Sequence, residues 1–327
     1  MRWPTLIGLV LGLAAVVALL VANDVASIGR TLLAAGWGIL AVVAVHTPQT
    51  FLTAVGWRDV IVGPRRPGVL RLFKIRWIKE AVNALLPVAQ IGGEFVRARL
   101  LAADGVGLRP AAASCTVDIA AGTVSLFAYT LLGLIFFLVA PHDVAVAGQA
   151  ERAIALGGVV AVAVVLAPRL GLMKVVDAIV ARVGAGRAWA ALGDEGGLHA
   201  AVAAIYREPG RLWACAAWHL GAWMLGTTET YVALAVLGLH PTLAEAFVID
   251  SLGQGIRAVG FAVPGALGVQ EGGYVLVCGL FGVPPNQALA LSFVRRIREL
   301  LLGVPGLAVW ARAEGWSLRS LVRRGRA

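Results

Sequence analysis

Residues 31–57 read TLLAAGWGILAVVAVHTPQTFLTAVGW, a run from Thr31 to Trp57 without one Asp, Glu, Lys or Arg. A helix rises about 1.5 Å per residue and needs roughly 20 apolar residues to cross about 30 Å of hydrocarbon. This run exceeds that length, and so do two others, Ile119 to His142 and Gly272 to Val294. A membrane barrel would instead show alternating segments of about 10 residues, a pattern the sequence lacks. The chain reads as all-α and polytopic, with most of its 327 residues in a bilayer. Composition agrees: 59% of residues are hydrophobic and 14% charged, against about 25% charged in soluble domains.

The net charge is +10. Lys and Arg collect on the cytoplasmic side of membrane proteins, so this balance is a topology signal and not a mark of nucleic-acid binding. Arg2 precedes an apolar run from Pro4 to Ala22. The run is too long for a signal peptide and no A-x-A site follows, so an uncleaved first span with the N-terminus inside is expected. Cys115, Cys215 and Cys278 lie in apolar stretches with no CxxC spacing and no neighbouring His at ligand distance. They read as buried small hydrophobes, and no disulfide, metal or cofactor is implied.

Outward from the opening run, span one is expected at 4–22 and span two at 32–57. A basic segment follows, with Arg58, Arg65, Arg66, Arg71, Lys74, Arg76 and Lys79. The next apolar piece, Ala81 to Gly93, is too short to span. A helix over 70–86 meets Pro87, and a second follows Gly92-Gly93 to about 103. Pro removes a backbone donor and the Gly pair favours a turn. The segment 70–104 therefore reads as a re-entrant hairpin opened at Asn83, Pro87, Gly92 and Gly93. Span three is expected at 111–140 and span four at 153–168. The segment 169–211 reads as interfacial amphipathic helices, because Val175, Ile179 and Val183 recur at helical spacing. Span five falls at 212–238, a hairpin broken at Pro264, Gly265 and Gly268 at 243–283, and the last span at 286–311. This gives about six spans and two hairpins, with both termini cytoplasmic. Only Arg30 and Arg152 then lie outside, while Arg257, Arg295, Arg296 and Arg298 lie within the membrane.

Pro87 is followed seven residues later by Glu94, and Pro264 seven residues later by Glu271. Asp118 lies 24 residues after Glu94, and Arg295 lies 24 after Glu271. Both halves run as two spans, a hairpin and a span. Residues 1–142 and 143–312 thus read as two units with inverted topology, followed by a basic tail at 313–327. Inverted repeats with broken helices place binding sites near the midplane.

An ionisable group in hydrocarbon costs at least about 2.5–3.5 kcal/mol. Glu94, Asp118, Glu229, Asp250, Arg257, Glu271, Arg295, Arg296, Arg298 and Glu299 are expected to face a polar interior and pair. Arg295 with Glu299, and Glu94 with Arg97, sit one turn apart and are expected to pair locally. Asp250 and Arg257 share a face. Glu229 reads as a lone hydrogen-bonded carboxyl, and His46 and His219 as satisfied interior histidines. Glu94 and Glu271 sit at the N-termini of returning half-helices, where the dipole favours an anion. Two such carboxylates suit a cationic group or a proton-coupled step.

Asn83-Ala-Leu-Leu-Pro87 with Gly92-Gly93-Glu94-Phe-Val-Arg97, and Gly268-Val-Gln-Glu271-Gly-Gly-Tyr274 with Arg295-Arg-Ile-Arg-Glu299, resemble the flippase-like membrane domain of the lysylphosphatidylglycerol synthase family. The wording of the second pair is most similar to the hopanoid-biosynthesis-associated HpnL branch. The resemblance covers nearly the whole chain. It implies a bacterial inner-membrane protein moving lipids between leaflets. Full-length synthases of that family carry a soluble aminoacyl-transferase domain after the membrane part. The chain ends at Ala327, so the expectation is that the synthase reaction is absent.

The leading expectation is a lipid flippase with a polar groove between the hairpins. The four membrane arginines would meet a phosphate or polyol, and Glu94 and Glu271 would gate or couple. The expected partner is a membrane lipid, a hopanoid or an anionic phospholipid, with a homodimer or biosynthetic enzymes as further partners. One alternative is an integral-membrane enzyme acting on a lipid headgroup, with Glu94 or Glu271 as acid or base. Against it, the sequence has no metal-cluster, Ser–His–Asp or P-loop signature. Another is a scaffold for lipid-biosynthesis enzymes, using 169–211 and the tail.

Overall fold

A computed structural model describes residues 3–63, 65–86, 92–139, 195–260 and 263–314. Among them every regular element is helical. Pro87, span four at 153–168, the interfacial residues Val175, Ile179 and Val183, and the tail beyond Glu314 lie outside the described residues.

The first helix, α1 (Trp3–Val21), is followed by α2 (Val25–Ala35). Asp24 starts α2, its side chain accepting from Ser27 N at 3.1 Å, and Gly36 at φ 46° ends it. The segment Gly12–Val21 meets α2 at 95°. The expected span at 32–57 is therefore corrected: α3 runs Gly38–Asp59. A cap and a left-handed glycine stop the helix despite its apolar content.

Two short helices flank the expected break of the first hairpin. Its outgoing arm, α4, is Val69–Leu85, and Leu86 turns extended at ψ 145°, as a residue before proline must. The return arm, α5, is Gly92–Leu101. Gly105 at φ 88° separates it from α6, Leu108–Val139. A short helix, α7 (Glu195–Tyr206), packs against α6. It falls inside the segment expected to lie at the interface. Next comes α8, Pro209–Val236.

The second hairpin opens with α9 (Leu243–Val259), capped by reciprocal bonds between Thr242 and Glu245 that satisfy two free donors. A single turn at Pro264–Ala266 and Gly268 at φ 78° precede α10, Val269–Gly279. At 11 residues, α10 is about 16 Å long, half of what a crossing needs. The segment 243–283 is therefore broken, with α10 too short to cross by itself. The last helix, α11, is Pro285–Ala313. By length and composition α3 and α6 suffice to cross a bilayer, and the bent α1–α2 pair does so if counted as one span. The helices α8 and α11, also long enough, carry charges, Arg211 and Glu229 on α8 and Arg295, Arg296, Arg298, Glu299 and Arg312 on α11.

Apolar burial gathers in two cores. One joins α4, α5 and the start of α6 and α8 to the end of α3, around Trp57, Leu72, Ile75 and Leu101. The other joins α9, α10 and the start of α3 and α11 to the end of α6 and α8, around Val42, Ile249, Tyr274 and Val294. So α3 and α8 run in opposite senses between the cores, as do α6 and α11. Each hairpin occupies one core.

The helix pairings are matched in the same way. α3 packs along α8, α4 against α11, and α9 against α6. Small residues permit the close crossings. A Cβ on Gly306 would lie 2.7 Å from Ala81 Cβ, and one on Gly303 2.7 Å from Leu85 Cδ1. On the other side, a Cβ on Gly255 would lie 2.6 Å from Thr130 Cγ2. Trp77 Nε1 donates to the Leu302 carbonyl at 2.8 Å, just before Pro305 interrupts the α11 ladder.

Gly306→Leu should separate α4 from α11 and destabilise the protein by about 1–3 kcal/mol. Thermal unfolding in detergent checks this. Gly29→Ala, where an added Cβ meets nothing within 4 Å, should leave the midpoint unchanged.

Candidate functional site

Among the described residues, three neutral charge networks join the helices. In the first, Asp118 of α6 is almost fully buried and accepts from Arg76 NH1 of α4 at 2.9 Å and from Arg97 NH1 of α5. His219 Nε2 of α8 lies 2.8 Å from its other oxygen. Arg97 also reaches Glu94 at 2.7 Å, and Lys79 reaches Glu94 at 3.3 Å. Arg76 lies 3.8 Å from Glu80, which accepts from Thr50 Oγ1 at 3.0 Å. Three cations, Arg76, Lys79 and Arg97, balance three carboxylates, Glu80, Glu94 and Asp118. The Arg97 guanidinium lies 4.6 Å from the Trp57 ring centroid, an attraction that strengthens on desolvation.

The second network is a single pair. Arg295 of α11 donates to Asp250 of α9 and to Thr230 of α8. Tyr129 of α6 donates to Asp250 Oδ2, and Thr230 to Oδ1, each at 2.9 Å. Tyr274 of α10 lies under the guanidinium at 5.2 Å.

In the third, Arg298 donates to the buried Glu229 of α8. Glu229 also accepts from Gln49 at 2.8 Å and lies 2.8 Å from His46 Nδ1. Glu299 receives Arg257 NH2 at 2.9 Å, Arg296 NH1 at 3.4 Å and Arg298 NH2 at 3.7 Å. Arg296 reaches Glu271 Oε1 at 3.1 Å. Glu271 also takes Ser292 Oγ at 3.1 Å and, through Oε2, Gly268 N at 2.7 Å. Arg257, Arg296 and Arg298 balance Glu229, Glu271 and Glu299.

Several expectations change. Glu94 does pair with Arg97, but Arg295 reaches Asp250 and not Glu299, because α9 packs its carboxylate against Arg295 from outside the helix. Asp250 and Arg257, on one face of α9, go to different partners on α11. Glu229 is a network member and not a lone carboxyl. Cys215 has a histidine neighbour after all: Asp118, Cys215 and His219 offer ligand atoms within 4.8 Å of one another. Two guanidinium groups already hold that carboxylate, so a metal cation there would face two fixed positive charges. All three cysteines are free and buried.

Between the hairpins lies a cavity of about 370 Å³. Its wall takes His46 from α3, Trp77, Lys79, Glu80 and Asn83 from α4, and Trp223 from α8. Gln254 and Arg257 of α9, Gly265, and Arg298 and Glu299 of α11 complete the polar part. Of the residues singled out in sequence, Asn83, Arg257, Gly265, Arg298 and Glu299 line it. Glu94, Arg97, Asp118, Asp250, Glu271, Arg295, Arg296, Gly92, Gly93 and Gly268 lie in the networks or at the hairpin turns. Gly93 N donates to Asn83 Oδ1 at 2.8 Å, which closes the first hairpin. The cavity carboxylates are Glu80 and Glu299, not Glu94 and Glu271. Trp223 Nε1 and Arg298 Nε, on two residues that line it, are buried without a hydrogen-bond partner among the described residues.

These features define a helical membrane protein whose charged networks border a half-open cavity. The match to Lysylphosphatidylglycerol synthase TM region spans residues 5–306, and the chain belongs to that family. It is thereby a membrane protein of lipid metabolism or transport. No curated protein and no solved structure matches the chain.

Asp118→Asn would leave Arg76 and Arg97 buried with one charge too many. Breaking a buried pair in this way costs about 3–5 kcal/mol. The variant should unfold at markedly lower temperature in detergent. A midpoint within error of the native protein would show that the carboxylate is not what holds α4 and α5 to α6.

Proposed function

We propose that the protein is a lipid flippase of the bacterial inner membrane, moving a hopanoid or another polar-headgroup lipid between leaflets, and is a carrier and not an enzyme. The carrying observation is the cavity between the hairpins. Its size falls in the range of about 300–1,000 Å³ that small-molecule sites occupy. Its wall combines arginine and amide donors with two indole rings, the chemistry a phosphate or polyol headgroup requires. The lipid tails would remain in the surrounding hydrocarbon.

We read the chain as two inverted units, residues 1–142 and 143–312, with N- and C-termini cytoplasmic. Supporting this are the opposed senses of α3 and α8 and of α6 and α11, the hairpin in each core, and the paired crossings of α4 on α11 and α9 on α6. The wording around Glu271 and Arg295 favours the hopanoid-associated branch. A homodimer, or contact with biosynthetic enzymes through the basic tail, fits the same placement.

The inversion has a direct test. Leu70 at the start of α4 and Leu243 at the start of α9 are both exposed. Cysteines at the two positions should react with a membrane-impermeant maleimide from opposite sides of inside-out and right-side-out vesicles. Labelling of both from one side would remove the inverted repeat.

For transport, full-length protein in phosphatidylcholine vesicles should speed transbilayer exchange of a fluorescent phosphatidylglycerol or of a labelled hopanoid. Arg298→Gln should slow it at least about tenfold, since a hydrogen bond to a charged group contributes about 1.5–3 kcal/mol. Exchange of both lipids at the rate of protein-free vesicles would sink the flippase reading.

A further inference from the structure

His46 Nδ1 faces two groups with opposite demands. Glu229 Oε2 and Arg298 NH1 both lie 2.8 Å from it. A neutral imidazole nitrogen either donates or accepts. As acceptor, Nδ1 bonds Arg298; as donor, it bonds Glu229; it does not do both. The two bonding schemes therefore differ in where one proton sits.

The charge balance around the ring makes that proton matter. The charged groups around it stand on four helices other than its own. Glu229 stands on α8, Arg298 and Glu299 on α11, Lys79 and Glu80 across the cavity on α4, and Arg257 on α9. The network that His46 joins is neutral when the ring is neutral, with Arg257, Arg296 and Arg298 against Glu229, Glu271 and Glu299. A proton on His46 leaves it at +1 in a low-dielectric site, where uncompensated charge is expensive. The ring lines the cavity, so water there is the proton source. Arg298 lines the same cavity, and its Nε is buried with no hydrogen-bond partner among the described residues.

We propose that His46 is a proton-binding site coupled to the cavity, and that a proton and a monoanionic lipid headgroup enter together. Taking up the proton, Nδ1 turns from accepting Arg298 NH1 to donating to Glu229 Oε2. Arg298 keeps its contacts to Glu229 and Glu299, the wall around the ring carries one more positive charge, and the headgroup's negative charge restores neutrality. On release of the headgroup the proton returns to water and Nδ1 again accepts from Arg298. This rests on the cavity being the headgroup site of the flippase reading and adds how its occupancy is driven. Coupling of this kind is reciprocal, so acid strengthens headgroup binding as much as the headgroup strengthens proton binding.

The test is calorimetric titration of the full-length protein in detergent with dihexanoyl phosphatidylglycerol, in buffers of different ionisation heat. Histidine changes charge nearest neutrality, so the titration is run at about pH 6.5. Wild type should take up about one proton per lipid bound. His46→Gln and His46→Asn should take up none, while His240→Gln, at an exposed turn, should match wild type. No uptake by wild type, equal uptake by the His46 variants, or no binding overturns the proposal; the wild-type value decides even if the variants do not fold. Lipid exchange in vesicles without proton uptake overturns the coupling and leaves the flippase reading. Uptake on binding without exchange supports the proton site and removes the flippase reading.

Discussion

Charge neutrality within hydrocarbon is the constraint from which the arrangement follows. Asp118 alone would be intolerable at its depth. With Arg76 and Arg97 fixed on it by α4 and α5, the carboxylate becomes the point at which a hairpin too short to cross the membrane is held to a helix that does cross it. Arg295 does the same for α9, taking Asp250 against α11. The apolar cores then close above and below these contacts. Removing one charge from such a set costs more than removing the whole set, so the networks set which changes the fold tolerates.

The two halves solve one problem with opposite signs. At matched positions stand a carboxylate, Asp118, and a guanidinium, Arg295. One is ringed by cations, the other by a carboxylate, hydroxyls and an aromatic face. The cavity lies where α4 and the α11 ladder meet α9 and the Pro264–Ala266 turn. In the proposed carrier, a headgroup there would meet groups from both hairpins at once.

Much of this was legible in sequence, and the rest was not for identifiable reasons. Charge-free runs gave α3 and α6, and proline and glycine breaks gave both hairpins, because each rests on local physics. The start of α3 was missed because Asp24 and Gly36, a cap and a stop, lie within or beside an apolar run. Local spacing found Glu94 with Arg97, yet it mispaired Arg295 with Glu299. An alternative partner, Asp250, arrives from a helix 45 residues away in sequence. The cavity wall was half found. Arg298 and Glu299 stood out as charges in hydrocarbon, whereas Lys79 and Glu80 read as the edge of a basic segment. His46 read as an ordinary interior histidine, since only the fold brings Arg298 to the nitrogen that faces Glu229.

Each of the larger networks is assembled almost wholly from one stretch of chain. Arg76, Lys79, Glu80, Glu94, Arg97 and Asp118 are complete before residue 119 is made, and Glu229, Arg257, Glu271, Arg296, Arg298 and Glu299 all come after it. Each then borrows from the other half, the first His219 and the second His46 and Gln49. During synthesis, the first hairpin and α6 can therefore leave the insertion machinery as an electrically neutral package, with no wait for the second half. What the late arrival of α8 and α11 contributes is the contacts of His219, His46 and Gln49, so each half balances its own charge and the two are joined through imidazole and amide groups.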